Sequence, residues 1–167
     1  KKSRGAEVQD AYDKATDWAI VFEKACSDKL SEIVLSPGKP VKVMLYPKAK
    51  NVEDAFRIVG KPAAFEYKYD GFRVMINKDE AGEIKIFTRR LEEVSKQFPD
   101  IIEFVKKNIR GKSFIVDGEA VGYDPKTKKY KEFQAISQRI RRKYDIARLV
   151  EELPIELRVF DVIYYEG

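Results

Sequence analysis

Apolar residues along this chain recur first every three to four positions and later every second one. Val8, Ala11, Ala15, Trp18, Phe22 and Ala25 keep helical spacing, which predicts an amphipathic helix over 8–26, broken near residues 15–17. Ser36-Pro37-Gly38-Lys39-Pro40 interrupts that pattern and marks the best domain boundary, because proline and glycine punctuate regular structure. Val41 to Leu45 alternates briefly, and Asn51 can cap a short helix that Gly60 ends.

Further along, Glu66 to Arg73 lies between the apolar runs Ala63–Phe65 and Val74–Ile76, a pattern that predicts strand, turn, strand. Ile84 to Thr88 makes another strand. Pro99 opens a helix with the stripe Ile101, Ile102, Val105 and Ile109, closed by Gly111. Ser113 to Tyr123 is a strand pair or one long strand. Phe133 to Leu153 is helical in one or two pieces, ended by Pro154, and Leu157 to Tyr165 is a last strand rich in aromatic and β-branched residues. There is no internal repeat.

Composition narrows the class. The 44% hydrophobic and 12% aromatic content of the 167 residues describes a folded globule, and the 37% charged content is well above the usual quarter. Cys26 is the one cysteine, so no internal disulfide can form and the profile is that of an intracellular, cytoplasmic protein. No apolar run approaches the ~18 residues of a membrane span. With no histidine anywhere, Ser-His-Asp triads and Cys/His zinc sites are excluded.

Charge is concentrated. Residues 126–143 hold eight basic side chains against the single acid Glu132, a net +7 against +5 for the whole chain, so the remainder sums to −2. Such a patch suits a polyanion, and equally a solvated loop and helix face. On a helix over 137–143, Arg139 and Arg142 stand at i, i+3 and would share a face able to follow one phosphate backbone.

The densest chemistry lies in E-Y-K-Y-D-G-F-R, residues 66–73. On a strand, Glu66 and Lys68 share one face while Phe65, Tyr67 and Tyr69 share the other. The aromatic face would seal against a core and aim Lys68 into a pocket, as a candidate nucleophile. In F-I-V-D-G-E-A-V-G-Y, residues 114–123, alternation puts Asp117 and Glu119 on one face. They form either a pocket wall for a metal or sugar hydroxyls, or the exposed acids of a D-G hairpin turn. Phe160 in L-R-V-F-D-V-I-Y-Y either packs on a base or fills the core.

Taken in order, K-Y-D-G-F-R, F-T-R-R-L-E-E, V-D-G-E and V-F-D-V-I-Y-Y-E-G resemble the ATP-dependent DNA ligases of archaeal type, within the covalent nucleotidyltransferases. K-x-D-G-x-R alone also occurs in RNA ligases and mRNA capping enzymes. The resemblance implies an α+β fold: a nucleotidyltransferase (adenylation) domain with mainly antiparallel sheets flanked by helices, plus a short N-terminal helical piece. Residues 1–37 would be the last helices of a DNA-binding domain. Residues 38–167 would be most of the adenylation domain, stopping before its later motifs and the OB-fold domain, and such a fragment need not be active alone.

Carried over by position, the resemblance makes Lys68 the residue that becomes adenylylated and Glu66 the reader of the adenine amino group. Arg73 would lie near the ribose and the nick, and Arg89, with Arg90 beside it, near the nucleotide phosphates. Glu119 would contact the ribose and help hold the metal, Phe160 would stack on adenine, and Asp70 would support the Lys68 turn. It implies ATP and Mg²⁺ as cofactors and nicked double-stranded DNA as partner, with a sliding clamp reached through other parts of the parent protein, and no membrane. A free lysine titrates near pH 10.4, so its neutral form must be favoured by burial or by neighbouring cations. Arg73, Arg89 and the metal would supply that charge, in a chemistry of positioning and charge neutralisation that needs no histidine. The rival readings are an RNA ligase or capping-type enzyme, and a non-catalytic nucleic-acid-binding module. Nucleotide preference among ATP, ADP and GTP stays open.

Overall fold

A computed structural model of the chain describes residues 4–43 and 46–167. Its first part is a helical pair, α1 (Gly5–Ala15) and α2 (Trp18–Cys26), matching the expected break. Thr16 ends α1 in the left-handed region, and Asp17 caps α2 by accepting the Ala19 and Ile20 amides. Ala11, Ala15, Val21, Leu30 and Ile33 form a small apolar cluster of their own. The following turn is tied back where the Thr16 hydroxyl donates to the Pro40 carbonyl at 2.7 Å. Residues 41–43 are not a strand, and the remainder of the brief alternation to Leu45 lies outside the described residues.

Helix α3 (Val52–Val59) begins where the Asn51 side chain accepts the Asp54 amide and ends at Gly60, whose φ of +83° suits a residue without Cβ. Five strands then form one antiparallel sheet: β1 (Phe72–Lys78), β2 (Ile84–Thr88), β3 (Phe114–Asp124), β4 (Lys129–Lys131) and β5 (Ile155–Tyr165). Strand β1 pairs with β2 on one side and β3 on the other. Strand β3 pairs with β1 and β4 along one edge and with β5 along the opposite edge. Among the described residues nothing pairs with the outer edge of β5. The segment 114–124 is one continuous strand with Gly118 in its interior, so the D-G hairpin alternative falls.

One face of the sheet is the main core. Val74 and Ile76 of β1, Ile86 of β2, and Phe114, Val116 and Ala120 of β3 pack under Ile101 and Val105 of α4 (Pro99–Asn108), Phe98 just before that helix, and Ile136 of α5 (Phe133–Arg141). Burying each of the valine, isoleucine and phenylalanine side chains among them stabilises the fold by about 1.5–3 kcal/mol. Pro99 occupies the first turn of α4 as expected, while Ile109 rather than Gly111 caps its end. The last helical stretch divides into α5 and α6 (Ile146–Glu152), with Arg142 already extended. Across the opposite face, Met75, Phe87 and Ile115 are covered by Val41, Val43, Ile163 and Tyr164. The other end of that second face is polar.

Arg139 corrects an expectation. It is 0% exposed, pairing with Asp100 at 2.6 and 2.9 Å and donating to the carbonyls of Gln97 and Leu153. Its guanidinium also lies over the Phe98 ring at 4.7 Å. Arg139 follows Ile136 on the inward side of α5, so burial and pairing decide its place rather than a backbone of DNA. The shared Arg139–Arg142 face does not exist.

Candidate active site

The polar end of the second face is built by strand register. Arg73 stands directly opposite Glu119, and Met75 opposite Asp117, across the β1–β3 ladder. Direct partners share a face, so Arg73, Asp117 and Glu119 project together. Asp117 is 0% exposed and receives the Arg73 Nε at 2.9 and 3.0 Å, with Nη2 adding a second prong. That forked geometry is the strong form of a carboxylate–guanidinium contact. The Asp117 bond, and beyond it the charges of Glu119 and Asp161, raise the Arg73 pKa above its ordinary value.

Glu119 has no ion-pair partner among the described residues. Burial pushes its carboxyl up, an effect partly offset by the positive charge of Lys68, the Gly71 amide and Arg73. Lys68 is therefore close enough to act on Glu119 electrostatically. Between them the chain runs tight against the sheet: a Cβ on Gly71 would sit 2.3 Å from the Ala120 carbonyl oxygen.

Phe160 joins the same group through an irregularity in β5. Val159 pairs with Gly118 and Asp161 with Asp117, leaving Phe160 between them unpaired. Such a bulge re-aims a side chain. The ring lies 5.6 Å from the Arg73 guanidinium and is 44% exposed, so it does not fill the core.

Other expectations for this region need revision. Residues 63–69 are not a strand, since nothing among the described residues pairs with them. Phe65 and Tyr67 are 81% and 89% exposed, so the alternating faces and the sealed aromatic flank are absent. Lys68 and Glu66 are exposed as well, and Lys68 is not enclosed by a pocket. Arg89 is exposed in the turn after β2, one register step beyond the Val74–Thr88 pair. The structure thus gathers Lys68, Arg73, Glu119 and Phe160 at one end of the sheet, and it gives Glu66 and Arg89 no contact with them. Asp117 as the arginine's partner was not anticipated, although its alternation with Glu119 was a usable signal.

A metal site made wholly by protein is not present: no group of three or more Asp, Glu or Cys side chains is placed to hold an ion among the described residues. Asp117 is committed to Arg73, which leaves Glu119 as the available carboxylate of β3 beside Arg73. That donor set fits magnesium, which typically takes one or two carboxylates and completes its shell with phosphate oxygens and water.

Comparison with known proteins identifies the family. Residues 43–167 match the ATP dependent DNA ligase domain, so the five-stranded antiparallel sheet with its helices is an α+β domain of the ligase-type nucleotidyltransferase class. A DNA ligase from Nanoarchaeum equitans is 49% identical over 163 residues, covering 96% of this chain and 29% of the relative. One from Thermococcus fumicolans is 39% identical over 169 residues, covering 99% and 30%. Among solved structures, the ligase domain of LigD from M. tuberculosis is similar at a TM-score of 0.43 and 23% identity, over 61% of this chain and 29% of that one. The chain belongs to the ATP-dependent DNA ligase domain family. It spans about three tenths of the length of the curated relatives it matches.

Proposed function

We propose that this chain carries the nucleotide site of an ATP-dependent DNA ligase, with Lys68 as the residue that takes AMP from ATP. The observation that carries the reading is the convergence of Arg73, Glu119 and Phe160 on one face of the sheet, within electrostatic reach of Lys68. In the first step the neutral Lys68 Nζ attacks the α-phosphorus. An N–P bond forms, the bond to the bridging oxygen breaks, pyrophosphate departs and the amine proton goes to solvent. Arg73 offers fixed positive charge beside the phosphates, held in place by Asp117. Phe160 presents a ring face to the base, and Glu66 and Arg89 would reach the adenine amino group and the phosphates once nucleotide is bound. A magnesium ion on Glu119 would add neutralisation of phosphate oxygens.

AMP then passes from Lys68 to the 5′-phosphate at a nick in double-stranded DNA, and the 3′-hydroxyl displaces AMP to seal the strand. A sliding clamp would be engaged by other parts of the full-length protein. Residues 1–37 are assigned to the end of a DNA-binding domain and 38–167 to the adenylation domain. The separate apolar cluster of α1 and α2 supports that division. Exposed basic residues of the β3–β4 hairpin and of 141–143 are left to meet the DNA backbone.

The test uses the full-length enzyme with α-labelled ATP and Mg²⁺, resolved by denaturing electrophoresis. Label should attach to Lys68 and be discharged by nicked DNA. No covalent label would favour a non-catalytic binding module. Discharge only by nicked RNA, or labelling by GTP with transfer to an RNA 5′ end, would favour the RNA ligase or capping readings.

A further inference from the structure

The loop that bears Lys68 has no strand partner, yet one of its side chains is held firmly. Tyr69 meets the Tyr130 ring edge-on at 6.0 Å and 82°. The guanidinium of Arg158 lies 5.5 Å from the Tyr69 ring and 5.8 Å from that of Tyr130. Arg158 is itself fixed, since its Nη2 donates to the Tyr130 hydroxyl and pairs with Glu156. The socket is therefore part of the sheet. Arg158 of β5 stands opposite Glu119, and Tyr130 of β4 stands opposite Tyr123, with those rings 6.1 Å apart.

We infer that Tyr69 is a positioning residue for Lys68, and that Arg158 and Tyr130 form the socket that fixes it. This rests on Lys68 being the nucleophile. Adjacent Cα atoms are about 3.8 Å apart, so anchoring Tyr69 restricts where the Lys68 backbone can stand. The neighbouring Phe65 and Tyr67 rings are mostly exposed, and Tyr69 is the half-buried aromatic of this stretch. On the far side of the turn, the hydrogen bond from the Phe133 amide to Asp70 is long at 3.5 Å. Group transfer depends steeply on placement, with about 1 Å of displacement able to cost about 100-fold. Lysine placement thus depends on a cation–aromatic contact between two parts of the chain that the sequence keeps almost ninety residues apart.

The experiment is single-turnover transfer of AMP from α-labelled ATP to the full-length enzyme, with ATP affinity and melting temperature measured beside it. Tyr69→Ala and Arg158→Gln should each slow transfer about 10- to 100-fold, with the ATP dissociation constant changed by no more than about twofold. Tyr69→Phe, which keeps the ring, should recover most of the rate. The inference is overturned if both Tyr69→Ala and Arg158→Gln transfer at the unsubstituted rate, if Tyr69→Phe is as slow as Tyr69→Ala, or if ATP affinity falls in proportion to rate. Should Tyr69→Ala fail to fold, Arg158→Gln carries the same decision. Absence of label on Lys68 in the unsubstituted enzyme would remove the underlying reading, and the inference with it.

Discussion

Arg73 faces Glu119 directly across the β1–β3 ladder but bonds diagonally to Asp117, two residues along the strand. That choice sets the charge pattern of the whole site. The fully buried carboxylate is the one that needs pairing most, because an uncompensated buried charge is costly. Glu119, half-buried and more accessible, keeps its carboxylate available to a ligand.

Lys68→Arg keeps the positive charge but replaces an amine that can lose its proton with a guanidinium that cannot. Covalent AMP labelling of the full-length enzyme should vanish. Labelling that persists in this variant would remove Lys68 from its assigned role.

Phe160→Ala should weaken ATP binding by about 1–3 kcal/mol, the scale of one base–aromatic stack. Because the ring sits on a bulge and is substantially exposed, the melting temperature should change little. A large fall in melting temperature with unchanged affinity would return Phe160 to a packing role.

Glu119→Gln separates stability from function. Burial raises the Glu119 pKa in the folded protein, so folding favours the protonated form. Stability associated with this group is full below the unfolded-state value near about 4.3 and is lost as pH rises through the raised folded value. The glutamine variant cannot ionise and should melt higher than the parent at pH 7, with the difference closing in acid. The same variant should respond less to Mg²⁺ in ATP binding. Thermal melts across pH provide the check, and equal melting temperatures at pH 7 would contradict it.

The basic segment should divide into structural and exposed members. Arg139→Ala breaks a buried pair and should cost about 3 kcal/mol or more in stability, measured by denaturant unfolding. Arg141→Gln with Arg142→Gln should fold normally and flatten the dependence of log nick affinity on log salt by up to about 0.9 per lost phosphate contact. An unchanged slope would make those two arginines plain solvated surface.

Much of this was legible from local pattern. Helical spacing located α1, α2 and α4, and runs of β-branched and aromatic residues located β1, β2, β3 and β5, because both signals lie within the segment itself. The segment 63–69 failed for a nonlocal reason. Its residues have strand character, but a strand exists only where a second strand pairs with it, and apolar alternation does not announce a partner. Arg139 failed similarly: a basic residue inside a basic run reads as surface until Asp100, thirty-nine positions away, is seen beneath it. Phe160 stood between two readings because a bulge breaks the alternation from which facing is inferred.

Among the described residues, the eleven-residue strand β5 pairs with β3 along one edge and leaves the other edge open, alongside the exposed side chains of Val159, Val162 and Tyr165. An open edge of that length is a template for any extended chain that meets it. Handled as an isolated polypeptide, this segment would therefore tend to stack edge to edge as its concentration rises.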